Sequence, residues 1–148
     1  MSKKRIIITA FAVVIAGLAA FVYWFTWKGS TKEIVAVADQ FKAPSDWQLV
    51  TDRVEPPRTI CLDSRCPSLH RSSKTNSNLT KQVLQEIVYR SGWKLVVDGD
   101  CEARTNTSGA VPVCTAEGLI VNNYQASVTI WKNSVEKTEG RVVLDIEN

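Results

Sequence analysis

The sequence predicts an α+β architecture: a single N-terminal transmembrane helix, then a small disulfide-stapled domain with an antiparallel sheet and one main helix. Three observations predict it. Residues Ile6 to Trp27 carry no charged side chain. Tyr124, Ala126, Val128 and Ile130 alternate with polar residues, and Val142, Leu144 and Ile146 do the same, which is the period of half-buried strands. Four cysteines all lie beyond the apolar run, where a chain that crosses a membrane meets an oxidising compartment.

The apolar run is 22 residues long, and as a helix it spans about 33 Å, enough for a bilayer core. Lys3, Lys4 and Arg5 hold the N-terminus in the cytoplasm, and Tyr23, Trp24 and Trp27 form an aromatic belt at the outer end. Residues 1–5 are therefore a cytoplasmic tail, 6–27 a signal-anchor helix, and the rest extracytoplasmic. A cleaved signal peptide would need a polar region after Gly17-Leu18-Ala19, but Phe21 to Trp27 continue the apolar run. No cysteine lies in or near the segment, which excludes a lipid-modified N-terminus. Ala12, Ala16 and Ala20 stand four apart with Gly17 beside them, a shallow strip where another helix could pack closely. Alanine is also common in membrane helices, so composition alone is the stronger explanation of that strip.

Charge argues against a nucleic-acid partner. The chain has 18 basic and 15 acidic residues, and setting aside Lys3, Lys4 and Arg5 leaves 15 of each. The basic excess is a terminal tag and not a folded cationic face. The lipid bilayer is the implied partner, with a membrane protein as a second one through the helix and ectodomain.

Residues 28–45 read as a juxtamembrane amphipathic helix or linker. Ser30-Thr31-Lys32-Glu33 fits a capping box, and Ile34, Val37, Ala38 and Phe41 follow on one helical face. This helix could rest on the ectodomain, lie on the membrane or continue the transmembrane helix, and Pro44 limits it. The extracytoplasmic domain, 46–148, begins with a strand from Trp47, Leu49 and Val50 that must end by Glu55-Pro56-Pro57. Leu69 to Lys74 is a second short strand. Asn78 or Ser77 caps a helix with apolar positions Leu79, Val83, Leu84, Ile87 and Val88, stopped by Gly92 in a left-handed turn with Trp93 behind it. Trp93 to Val97 forms a strand ended by Asp98-Gly99-Asp100, residues 102–112 a polar loop, and Val113 to Ala116 extended chain, with a turn or bulge at Gly118. The Tyr124 strand, a turn over Asn133 to Gly140 and the Val142 strand close the domain.

Four cysteines outside the cytoplasm fit two disulfides, and local pairing, Cys61 with Cys66 and Cys101 with Cys114, closes two turn-rich loops. The spacings do not match paired zinc knuckles, and Cys-x4-Cys lacks the Cys-x2-Cys geometry that lowers a thiol pKa. The segment Pro56-Pro57-Arg58-x2-Cys61-x4-Cys66-Pro67-Ser68-x2-Arg71 resembles one found in uncharacterised membrane-anchored or exported actinobacterial proteins. The resemblance covers about 16 residues, with Ser72 standing where an aromatic residue is expected. It implies a Gram-positive envelope setting and carries no activity.

Catalytic equipment is sparse. His70 is the only imidazole, so any triad or imidazole base must use it, and beside Arg71 a surface role is the simpler one. Asp98, Asp100 and Glu102 alternate like calcium ligands without the full loop, and read as a solvated turn. No phosphate loop, dinucleotide fingerprint or nucleophile elbow occurs, and no cofactor is called for. Asn78-Leu79-Thr80 and Asn106-Thr107-Ser108 match glycosylation sequons, which matter only in a eukaryotic secretory route. The sequence therefore favours a non-catalytic, single-pass interaction module or accessory subunit of an envelope complex. The alternative is an envelope enzyme or thiol-redox factor using the cysteine pairs or His70.

Disulfide pairing can be mapped directly. Trypsin without reductant cuts after Arg58, Arg65, Arg71, Lys94, Arg104 and Lys132, which places the four cysteines on separate peptides. Local pairing predicts that peptide 59–65 is linked to 66–71 and 95–104 to 105–132; a peptide joining Cys61 to Cys101 or Cys114 refutes it.

Overall fold

The computed structural model describes residues 3–56, 67–102, 109–133 and 140–147, with backbone alone at 3–12, 23 and 25–30. Helix α1 runs from Lys3 to Ala38, β1 from Gln48 to Glu55, β2 from Ser68 to Thr75 and α2 from Lys81 to Arg90. Strands β3 (Val96–Gly99), β4 (Ala110–Leu119), β5 (Gln125–Asn133) and β6 (Gly140–Glu147) follow, with one 3-10 turn at Val121–Asn123. All six strands pair antiparallel in one sheet, in the order β1-β2-β6-β5-β4-β3. The α+β class and the antiparallel sheet thus stand as the sequence suggested.

The helix after the apolar run continues it. The backbone runs unbroken to Ala38, so Ser30 lies inside a helix and does not cap its start, and Ile34, Val37 and Ala38 at its end rest on the core of the domain. Among the described residues no helix is long and apolar enough to cross a membrane, and the side chains at 3–12, 23 and 25–30 are not among them. The helix ends where its hydrogen bonds tighten: Gln40 N–H donates to Val37 and Phe41 N–H to Ala38, three residues back.

Helix α2 packs beside the end of α1 on one face of the sheet. Its N-cap is Thr80, whose hydroxyl accepts from Val83 N–H at 3.3 Å, and not Asn78 or Ser77. Leu79 and Leu84 are both buried, at the two positions of a hydrophobic staple. The stop at Gly92 is as expected. Gly92 has φ +74°, its N–H donates to Tyr89, and Trp93 N–H reaches Val88, a complete Schellman motif. Trp93 is spent on that motif, so β3 starts at Val96 and takes in Asp98 and Gly99, which had been expected to end it.

Two further expectations need correction. Gly118 lies within β4 and not at a turn; an added Cβ there would sit 3.1 Å from the Lys94 carbonyl. The bulge falls between Pro112 and Cys114 instead. The β4–β5 turn uses Asn122 and Asn123, both left-handed at φ 61° and 63°, so the strand expected from Tyr124 begins at Gln125. The disulfide Cys101–Cys114 is present, with Cα atoms 4.8 Å apart. Cys61 and Cys66 lie outside the described residues, as do Asn106 to Ser108 of the second sequon.

The core lies between the sheet and the two helices: Ile34, Val37 and Ala38 from α1, Leu84, Ile87 and Val88 from α2, and Ala126, Val128, Ile130, Val142, Leu144 and Ile146 from the central strands. Phe41 sits between Trp47 and Trp93, with ring centroids 6.1 and 5.3 Å away. Arg71 of β2 donates to Asp39 just past α1 at 3.1 Å and to Asp52 of β1 at 3.0 Å. Burial works against its charge, but the two carboxylate contacts outweigh that and raise its pKa. Lys42 N–H donates to the Ser91 hydroxyl, which in turn donates to Ile87, joining the segment after α1 to the end of α2.

Two predictions test this packing. Gly99 has φ +89°, and a Cβ there would lie 2.6 Å from the Val113 carbonyl oxygen and 2.9 Å from Cys114 Cα. Gly99→Ala should therefore destabilise the full chain by at least about 2 kcal/mol in urea unfolding; an unchanged midpoint would show the approach of β3 to β4 to be looser. Asp46, ahead of β1, accepts from the Thr75 hydroxyl at the end of β2 and from the Ser77 hydroxyl just after it. The Ser77 hydroxyl, helped by Thr75 and opposed by desolvation, holds its carboxyl below the ordinary 3.8. The stability it contributes is full above that value and is lost as pH falls through the folded pKa. The gap in melting temperature between wild type and Asp46→Asn should accordingly be widest at neutral pH and narrow as the medium is acidified below the ordinary carboxylate range; a gap that does not change with pH contradicts the assignment.

Candidate functional site

Both helices cover the same side, no described residue covers the other face of the sheet, and the register sets out that face's side chains in rows. One row runs Gln48, Lys74, Arg141, Trp131 across β1, β2, β6 and β5. The next is Thr51, Ser72, Val143, Thr129, and the third Arg53, His70, Asp145, Ser127. The last is Glu55, Ser68, Glu147, Gln125. Alternation along β5 and β6 produces this pattern: their residues between these positions face the helices and are the buried ones.

The rows differ in charge. Lys74 and Arg141 make one end cationic, whereas Glu55 and Glu147 make the other anionic. Between them the ions are paired, Arg53 with Glu55 at 3.2 Å and His70 Nδ1 with Asp145 at 2.6 Å. Lys74 and Arg141 have no acidic partner among the described residues. Thr51 of β1 and Ala110 of β4 border one depression of about 520 Å³ although three strands separate them, so the sheet curls around this face. The same depression takes in Ser72, Thr129, Trp131 and Arg141. Ser72 is 2% exposed, and its hydroxyl has no hydrogen-bond partner among the described residues.

The residues singled out from the sequence scatter. His70 is on the bare face, paired with Asp145, and no hydroxyl is hydrogen-bonded to either among the described residues. The Asp98 carboxylate accepts from Gly99 N–H and the Asp100 carboxylate from Glu102 N–H, which are turn contacts. Among the described residues no group of His, Cys, Asp or Glu could hold a metal ion. Cys101 and Cys114 are 1% and 5% exposed, too deep for exchange with an external thiol. Ala16, Gly17 and Ala20 lie on the exposed part of α1, and a Cβ on Gly17 would meet nothing within 4 Å. The Ala12 side chain falls outside the described residues.

One buried cation escaped the sequence reading. Lys132 of β5 is 6% exposed and donates its Nζ to the Leu79 carbonyl at 2.8 Å. Burial lowers its pKa, against the pull of Glu102 and Asp100. It ends the row of Ala126, Val128 and Ile130 on the helix side and satisfies a carbonyl just before α2, a structural duty. The rows of the bare face also could not be read without the register, since Lys74, Trp131 and Arg141 are far apart in sequence. No protein-family model matches this sequence, and no curated protein or solved structure resembles it.

Proposed function

We propose that the chain is a single-pass, membrane-anchored protein whose extracytoplasmic domain is a non-catalytic interaction module, an accessory subunit of an envelope membrane complex. The observation that carries this reading is how α1 divides. Its last turns are sunk in the core at Ile34, Val37 and Ala38, whereas Val13, Val14, Ile15 and Leu18 are between 53% and 66% exposed. Those successive positions point to different sides of the helix, so it is apolar all round, a surface suited to lipid or to a partner's interior and not to water. Lys3, Lys4 and Arg5 precede this stretch and Tyr23, Trp24 and Trp27 follow it, which sets the domain outside. The Cys101–Cys114 disulfide belongs in such a compartment. A binding role in place of chemistry is supported by the exposed sheet face, a His70–Asp145 pair with no hydroxyl hydrogen-bonded to it among the described residues, and a disulfide sealed in the core.

Protease added to right-side-out membrane vesicles should remove residues beyond about Ala38 while leaving the helix in the pellet after an alkaline carbonate wash. Protection from the protease reverses the orientation, and release by carbonate removes the anchor.

A further inference from the structure

We propose that the cationic end of the bare sheet face is a binding site for an acidic glycan, with Lys74 and Arg141 holding a sugar carboxylate and Trp131 stacking on its ring. The proposal rests on the reading of that face as a binding surface and is independent of the membrane tether. Lys74 and Arg141 are direct cross-strand partners, and Arg141 is in turn opposite Trp131. Like charges placed opposite each other on one sheet face repel, so this pair costs stability unless an anion lies between them. No described residue supplies that anion, although carboxylates elsewhere on the face are engaged by Arg53 and His70.

The surroundings narrow the anion to a carbohydrate. The half-buried Trp131 indole borders both depressions at this end, a flat apolar surface beside two cations. Asn76 and Asn133 line one depression, and Thr51 and Thr129 the other. Amides and hydroxyls in that number suit a ligand rich in hydroxyl groups. A guanidinium and an ammonium side by side suit a carboxylate, which Arg can take bidentately. At the opposite end Glu147, without a cationic partner among the described residues, repels the same ligand, so the field along the strands directs it to Lys74 and Arg141.

The test is a calorimetric titration of the full chain, held in nanodiscs of zwitterionic lipid at low salt, with a galacturonic acid tetramer. Saturable binding is expected, with a neutral galactose tetramer at least about tenfold weaker. Lys74→Gln with Arg141→Gln should weaken the acidic tetramer at least about tenfold while keeping or raising the melting temperature, since the repulsion is removed. Trp131→Leu should weaken it severalfold. A glutamate tetramer binding as tightly as the sugar would overturn the glycan assignment in favour of an acidic peptide. Undiminished binding by the double variant, or none at millimolar sugar, would overturn the site. Those failures leave the protease result untouched, so the tether stands or falls separately.

Discussion

Everything in this domain is referred to the burial of the last turns of α1. Ile34 and Ala38 are fully buried and Val37 is 3% exposed, so the core of the sheet is incomplete without a helix that begins at Lys3. Three polar contacts hold that junction in one geometry: Arg71 on Asp39, Lys42 N–H on Ser91, and the Asn122 amide on Glu33 at 2.8 Å. Each comes from a different part of the domain, namely β2, the end of α2 and the β4–β5 turn. Phe41, between two tryptophans, closes the seam with apolar area. Individually these are modest terms, but together they leave the chain after Ala38 little freedom to swing.

The placement of both helices on one side decides what the other side can do. A sheet with one covered face buries every second residue of its central strands and spends the alternate ones on solvent. Here those alternate residues run from a cationic row at Lys74 and Arg141 to an acidic one at Glu55 and Glu147, and the curl of the sheet gathers them into a shallow bowl. The edge strands are protected unequally. The four-residue β3 is short and ends at the disulfide, whereas the eight-residue β1 is interrupted by a bulge after Leu49, which twists its free edge away from straight pairing.

Much of the fold was legible because local signals and tertiary packing agree. The Gly92 stop, the alternation of β5 and β6 and the barrier at Pro56 all depend on neighbours in sequence. The misreadings have a common physical origin: a local motif was read without knowing what precedes it. Ser30-Thr31-Lys32-Glu33 looks like a helix start, but a helix already running needs no nucleus and passes through it. Ser77 and Asn78 are as good capping residues as Thr80, and only the inward turn of Leu79 selects Thr80. Tandem Asn122 and Asn123 carried the signal for a left-handed turn, which the apparent alternation with Tyr124 obscured. The bare-face site was out of reach, because its three members meet only through the pairing of β2 with β6 and of β6 with β5.

The unbroken helix makes orientation a matter of screw geometry. Between Trp27 and Ile34 the backbone stays helical, so every residue there fixes a rotation of about 100° and a rise of about 1.5 Å. Adding one residue would turn the bowl by about 100° around the α1 axis while hardly changing its distance along that axis. Adding a set of seven, close to two whole turns, would restore the azimuth and lift it by about 10 Å. The length of this stem therefore determines the compass bearing of the bare face as firmly as the sheet determines its shape.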